Sequence, residues 1–442
     1  MTTPTRPRLD NPHLVAPARQ LVLDAPLGLD CGQTLPRATV NFETYGRLTD
    51  RGDNAILVCH SLTHRAHAAG RHGPADGGRG WWHGAIGPGQ LLDTDKYFVI
   101  CTDALPAGGT TGPASVDPAT GRPYGMRFPV VTVRDMVNLQ SRFIRRLGLD
   151  RLHAVIGGCL GGQQALEWAI CYPEMVRNAV VITTTPATSA HTIAIFAVMR
   201  HLIRADPQWR DGDYYGTSFP RDGLNAAVAA AVPLWMSREA MEQRFGRPAG
   251  PYSYTLDAEF AVESFIDSLV ARARHELDPN GLMYLMRAVE YFDLAHEYGG
   301  LEQALAPVSA RVMFVSYARD WRYPAAETEH MHRVLAAAGA GLGPGVPAHR
   351  RRDGRLHHGR ARAARRAEDP GRRPAHRVRR VAARAERQRR VPERGGPAAR
   401  RSGVRHLLGG AGHRRARGRA HGGRPRGDDR LRGRLRRRGR PP

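Results

Sequence analysis

Lysine is almost missing from this 442-residue chain: Lys96 stands alone among 66 basic residues. The last hundred residues lack much more. From Gly343 to Pro442 there is no Phe, Tyr, Trp, Met, Ile, Lys, Asn, Thr or Cys, and Arg, Gly, Ala and Pro dominate. Such a segment cannot bury enough apolar surface to offset its ordering entropy, so 343–442 is expected to be a disordered tail. It carries 34 Arg against 7 acidic residues, a net of +27 where the whole chain has +25. The body, with 32 basic and 34 acidic residues, is near neutral at −2. Clustered Arg can serve as a nucleic-acid arm. The bland reading is preferred: these residue types have GC-rich codons, and an out-of-frame read of a GC-rich gene produces this composition. No nucleic-acid partner is expected.

Cysteine is scarce and unpaired in pattern. Cys31, Cys59, Cys101, Cys159 and Cys171 form no Cys-x-x-Cys spacing and are odd in number. That argues against a metal site and a disulfide framework, and for reduced thiols. The opening MTTPTRPRLDNPHLV has no apolar core behind a basic start, so no secretory signal is read there. No stretch approaches the ~18–20 apolar residues of a membrane helix. A cytoplasmic protein without membrane partners is expected.

Along the body, strand-like and helix-like stretches alternate. Residues 1–20 read as a loose start, and ATVNFETYG alternates apolar and polar at period two. AILVCH (55–60), YFVICTDAL (97–105), LHAVIGG (152–158) and AVVITTT (179–185) are short apolar runs, as strands buried on both faces require. Residues 131–147 have apolar side chains at helical spacing, and GGQQALEWAICYP reads as a helix stopped by Pro173. Alternation of this kind signals a mostly parallel sheet with crossover helices. From 187 to 300 the pattern is helical, including NGLMYLMRAVEYFDLAHEYG as one stretch, which suggests a cap inserted into the core. The expected organisation is core at 21–186, helical cap at 187–300, and an incomplete second part of the core at 301–342.

Gly157-Gly158-Cys159-Leu160-Gly161 fits Gly-x-nucleophile-x-Gly between an apolar strand and a helix. That context marks a nucleophile elbow: flanking glycines permit the tight turn, and the helix N-terminus stabilises developing negative charge. The plainer reading is a glycine-lined turn around a small buried Cys. Around it stand HSLT (60–63), WWHGAIGPG (81–89), DTDKYFVI (93–100), TTGPAS (110–115), FPVVTVRDMV (128–137) and GGQQALEWAICYP (161–173). ADPQWRDGDYY (205–215), FAVESF (260–265) and YFDL (291–294) follow. In this order and over about 40–335, the chain resembles the homoserine O-acetyltransferase family.

The resemblance implies an α/β-hydrolase fold with a helical cap and a homodimer. It implies acyl transfer, with acetyl-CoA as donor substrate and no bound cofactor or metal, to a small hydroxylated acceptor, L-homoserine in methionine biosynthesis. Cys159 would carry the acyl group, the N–H groups of Leu62 and Leu160 would form the oxyanion hole, and Asp320 would be the triad acid. Asp320 can also be read as a loop acid or helix cap, and His60 and His67 as loop-shaping residues. Three departures stand out. Cys replaces the family's Ser. Val228 falls where the family has an arginine for the amino-acid carboxylate, with Trp235 in place of a nearby tyrosine; Arg287 or Arg204 would have to compensate. The family's Gly-His-Asp-x-Phe stretch is missing, and His357 and His358 are poor substitutes. An esterase or thioesterase, or a relative impaired by the missing histidine, are the rival readings.

Overall fold

The computed structural model describes residues 18–72, 78–247, 252, 254, 256, 260–273 and 277–339. The whole tail from 343, with His357 and His358, lies outside them. Seven strands form the main sheet: β1 (Arg19–Leu23), β2 (Ala38–Tyr45), β3 (Ala55–Cys59), β4 (Phe98–Thr102), β5 (Ala154–Gly158), β6 (Asn178–Ile182) and β7 (Arg311–Val315). Their spatial order is β1-β2-β4-β3-β5-β6-β7. β1–β2 and β2–β4 pair antiparallel, and every later pairing is parallel.

Alternation explains how the sheet holds two layers. Ala55, Leu57 and Cys59 of β3 enter one apolar cluster, while Ile56 and Val58 enter the other. The first layer includes α1 (Val133–Arg146) and α2 (Leu160–Cys171), with Met136, Phe143 and Trp168 fully buried. The second is smaller and is flanked by Trp81 and Trp82. α1 starts with a capping box. Thr132 accepts from the Asp135 N–H and Asp135 accepts from the Thr132 N–H.

Between β6 and β7 run five longer helices: α3 (Ala190–Ala205), α4 (Arg221–Ala231), α5 (Arg238–Phe245), α6 (Ala261–Ala273) and α7 (Pro279–Tyr291). The expected single helix over NGLMYLMRAVEYFDLAHEYG is instead two. α7 ends at Tyr291, and α8 (Leu294–Tyr298) starts anew, capped by Asp293, whose carboxylate accepts the His296 N–H. An extended Phe292 and a bridge from Asp293 to Ala187 account for the break. The short α9 (Leu301–Leu305) leads into β7, and α10 (Ala325–Ala337) follows it. Among the described residues no helix is long and apolar enough to cross a membrane.

Candidate active site

Parallel strands point their carboxyl ends the same way, and a binding crevice is expected there. Cys159 follows β5, Thr183 follows β6, Tyr317 and residues 319–323 follow β7, and 61–64 follow β3. All of these line one cavity of about 820 Å³. Helices from between β6 and β7 close it with apolar side chains, including Phe196, Met199, Val228, Leu234 and Leu282.

Cys159 sits at the turn between β5 and α2. Its backbone has φ 58° and ψ −124°, left-handed territory that a β-carbon disfavours. Hydrogen bonds fix the turn: the Cys159 N–H reaches the carbonyls of Ile182 (3.1 Å) and Thr183 (3.2 Å). Two glycines are sterically required. A β-carbon at Gly157 would lie 2.1 Å from the Gly161 carbonyl oxygen, and one at Gly161 would lie 2.1 Å from that of Cys59. The strand-turn-helix expected around 157–161 is therefore present as an elbow. Neither the Leu62 N–H nor the Leu160 N–H donates a hydrogen bond among the described residues, and both residues are buried. Leu160 N–H opens α2, so the helix dipole adds to it.

The sulfur has partners that the sequence reading missed. Tyr323 Oη donates to Cys159 Sγ at 2.9 Å. Arg322 is also against the sulfur and is only 6% exposed, yet its Nε and Nη2 hydrogens find no acceptor among the described residues. Its guanidinium lies 5.5 Å from the Phe196 ring centroid and 4.9 Å from that of Tyr323. Burial opposes the Arg322 charge, but Cys159, Tyr323 and Asp320 around it hold the guanidinium protonated above its ordinary range. Burial, then the neighbouring sulfur, pushes the Tyr323 hydroxyl well above its usual range, so it stays a donor.

Asp320 lines the same cavity, but Oδ1 accepts the N–H groups of Arg322 (3.0 Å) and Tyr323 (2.9 Å). It thus shapes the turn that aims both side chains at the sulfur. No histidine among the described residues hydrogen-bonds to Asp320 or Cys159. Trp235 lines the cavity at 42% exposed, and Val228 lines it as a buried apolar residue. Arg287 does not join them. It pairs with Glu290 at 2.8 Å and lies over Tyr291, outside the cavity. Arg204 is likewise elsewhere, over Trp209. His60 braces a loop: Nδ1–H donates to the Ser61 carbonyl (2.8 Å) and Nε2 accepts the Ala104 N–H (2.9 Å). His67 contacts Glu43 at 3.0 Å. His64, which the sequence reading passed over, lines the cavity, bonds the Ser61 hydroxyl at 2.6 Å and stacks on Trp81.

Comparison with known proteins fits this geometry. Residues 54–249 match the α/β-hydrolase fold family. A homoserine O-acetyltransferase of Deferribacter desulfuricans is 42% identical over 309 residues, 69% of this chain and 82% of that protein. One from Methanosphaerula palustris is 44% identical over 71% of this chain and 65% of that longer relative. A homoserine O-succinyltransferase of Halothiobacillus neapolitanus is also 44% identical, over 71% of this chain and 79% of its own length. Among solved structures, homoserine O-acetyltransferase from Bacillus anthracis superposes with TM-score 0.68 at 33% identity, covering 75% of this chain and 90% of that one. Esterase E22 gives 0.65 at 30% identity, covering 74% and 92%. With that identity across most of a relative's length, an elbow at Cys159 and a capped sheet, the chain belongs to the homoserine O-acetyltransferase family of α/β-hydrolase-fold acyltransferases.

Proposed function

We propose that this chain transfers an acyl group from a CoA thioester to the hydroxyl of homoserine through a thioester on Cys159. The observation that carries the reading is Cys159 Sγ itself, held at a strained elbow inside a capped cavity and contacted by Tyr323 and Arg322. In the first half-reaction the Cys159 thiolate attacks the donor carbonyl. The bond from carbonyl carbon to Sγ forms, and the bond to the CoA sulfur breaks. CoA leaves as a thiol, taking up the proton that Cys159 gave up. The N–H groups of Leu62 and Leu160 face the oxyanion in this scheme. In the second half the acceptor hydroxyl attacks the thioester, the Sγ–carbon bond breaks, and the hydroxyl proton returns to sulfur.

Acetyl-CoA satisfies the nucleophile, but Arg322 favours an acyl group that ends in a carboxylate, such as the succinyl group in the Halothiobacillus relative's name. A buried guanidinium with unmet donors is costly, and a carboxylate is the acceptor that fits its planar fork. It abuts the atom that carries the acyl chain, so the acyl end rather than the acceptor is the partner in this reading. The test separates the half-reactions. The chain is incubated with acetyl-CoA or succinyl-CoA without acceptor, and the mass of the Cys159 peptide is followed. Expected is an adduct lost in Cys159→Ala, with the succinyl adduct forming faster and Arg322→Leu removing that preference. No adduct from either donor defeats acyl transfer through Cys159. An unchanged preference in Arg322→Leu, with only the KM for homoserine raised, moves Arg322 to the acceptor carboxylate. The likeness to esterase E22 keeps hydrolysis as a second reading, distinguished by free acid released at the same rate with or without homoserine.

A further inference from the structure

Away from the cavity, three ligand-type side chains converge on one point. Glu43, on β2, is one of the most enclosed carboxylates in the protein, its side chain 1% exposed. His67 Nδ1 lies 3.0 Å from Glu43 Oε2, and His72 Nε2 lies 2.8 Å from Glu43 Oε1. The two imidazole rings are 4.1 Å apart between centroids. One donor atom from each of the three residues falls within 4.8 Å of the others. None of the three lines the cavity around Cys159.

From this arrangement we propose that Glu43, His67 and His72 form a binding site for a zinc-type divalent transition metal. Two imidazoles with one carboxylate are a donor set that such ions prefer over the oxygen-only sets of calcium and magnesium. Four-coordinate zinc with bonds of about 2.0–2.1 Å spaces its donor atoms about 3.3 Å apart. The observed separations of 2.8 and 3.0 Å lie a few tenths of an ångström below that value and the three donor atoms all fall within 4.8 Å, so small side-chain shifts admit the ion. Outer support is already built. The Tyr45 hydroxyl donates to Glu43 Oε2 at 2.8 Å and accepts the N–H groups of Ala68 (2.8 Å) and Ala69 (3.2 Å). Metal-bound carboxylates are oriented by such second contacts. His72, 36% exposed, leaves a side open to solvent for entry and for a water as fourth ligand. The ion would be a clamp rather than a reagent. It ties β2 to the loop after β3, which also carries Leu62, and it stays independent of the acyl-transfer proposal.

The test uses the full chain stripped with EDTA and titrated with Co(II), then Zn(II). Seven histidines after residue 343 can also take up metal, so the readout is the difference from His72→Ala, a variant at a partly exposed position. Expected are visible d–d bands of a tetrahedral nitrogen–oxygen cobalt site, bound at least about tenfold more weakly in His72→Ala and in Glu43→Gln. Zinc should also raise the thermal midpoint of the parent and leave that of His72→Ala unmoved. Absence of the tetrahedral bands, or bands and affinity identical in His72→Ala, overturns the site. The network would then be a proton-bridged brace only.

Discussion

At the scale of single residues, the elbow around Cys159 was legible in the sequence and the side chains against its sulfur were not, for a physical reason. An elbow is a local pattern, since five consecutive residues contain both the glycines and the reactive side chain. Arg322 and Tyr323 act across 163 and 164 positions of chain, and a buried arginine runs against the general habit of that residue. Arg287 was the more natural sequence choice, yet its guanidinium is taken by Glu290 three residues on. The signal that was available is the ARDWRYP run leaving β7, where Asp320 organises the turn through two backbone N–H groups. Tyr323→Phe isolates the hydroxyl's contribution, because it keeps the ring and removes the donor to Sγ. A hydrogen bond to a charged sulfur is worth about 1.5–3 kcal/mol. Acylation of Cys159 should therefore slow by about tenfold or more while the fold stays unchanged. An equal rate in stopped-time mass measurements would mean the contact does not support the reacting form of sulfur.

At the scale of elements, double-sided burial made β3, β4 and β5 legible, and helical spacing of apolar residues did the same for α1. What stayed hidden were pairings set by tertiary structure, such as Glu43 with His67 and His72, 24 and 29 residues away. Two predictions belong here. Gly161→Ala forces a β-carbon onto the Cys59 carbonyl between the elbow and β3, where the backbone has little freedom to yield. A loss of about 3 kcal/mol in denaturant unfolding is expected, near the upper end for overpacking. The second concerns Asp135 at the start of α1. Burial, with Asp30 nearby, pushes its carboxyl up from the ordinary 3.8 to about 6, against the lowering contacts from the Thr132 and Asp30 N–H groups. The folded state therefore holds a proton more tightly than the unfolded chain. This contribution is fully present below pH 3.8 and is lost as the pH rises through 6, by about 3 kcal/mol at most. Asp135→Asn has no proton to lose. The difference in unfolding free energy between parent and variant should slope between pH 4 and 6 and flatten above it. A flat difference throughout would mean that Asp135 titrates normally.

At the scale of the whole molecule, the described part of the sheet ends at β7. β6 lies between β5 and β7, but β7 has no partner on its outer edge among the described residues. Its side chains show the consequence: Arg311 and Met313 are exposed, Met313 at 51%, whereas β3 is buried at all five positions. An outermost parallel strand with no partner among the described residues is a natural place for a further strand to pair. The composition changes soon afterwards, at Gly343, and the family's histidine stretch has no counterpart before it. The out-of-frame reading of 343–442 predicts that another frame encodes a further strand against β7, a loop bearing the histidine, and a closing helix. Resequencing from codon 330 and translating all three frames decides this. Finding that strand and histidine should yield a corrected protein with faster second-half turnover, because a base would then serve the acceptor hydroxyl. Confirmation of the present frame predicts the opposite behaviour. Acyl groups should load onto Cys159 and leave slowly, so the adduct should persist in mass measurements of the Cys159 peptide.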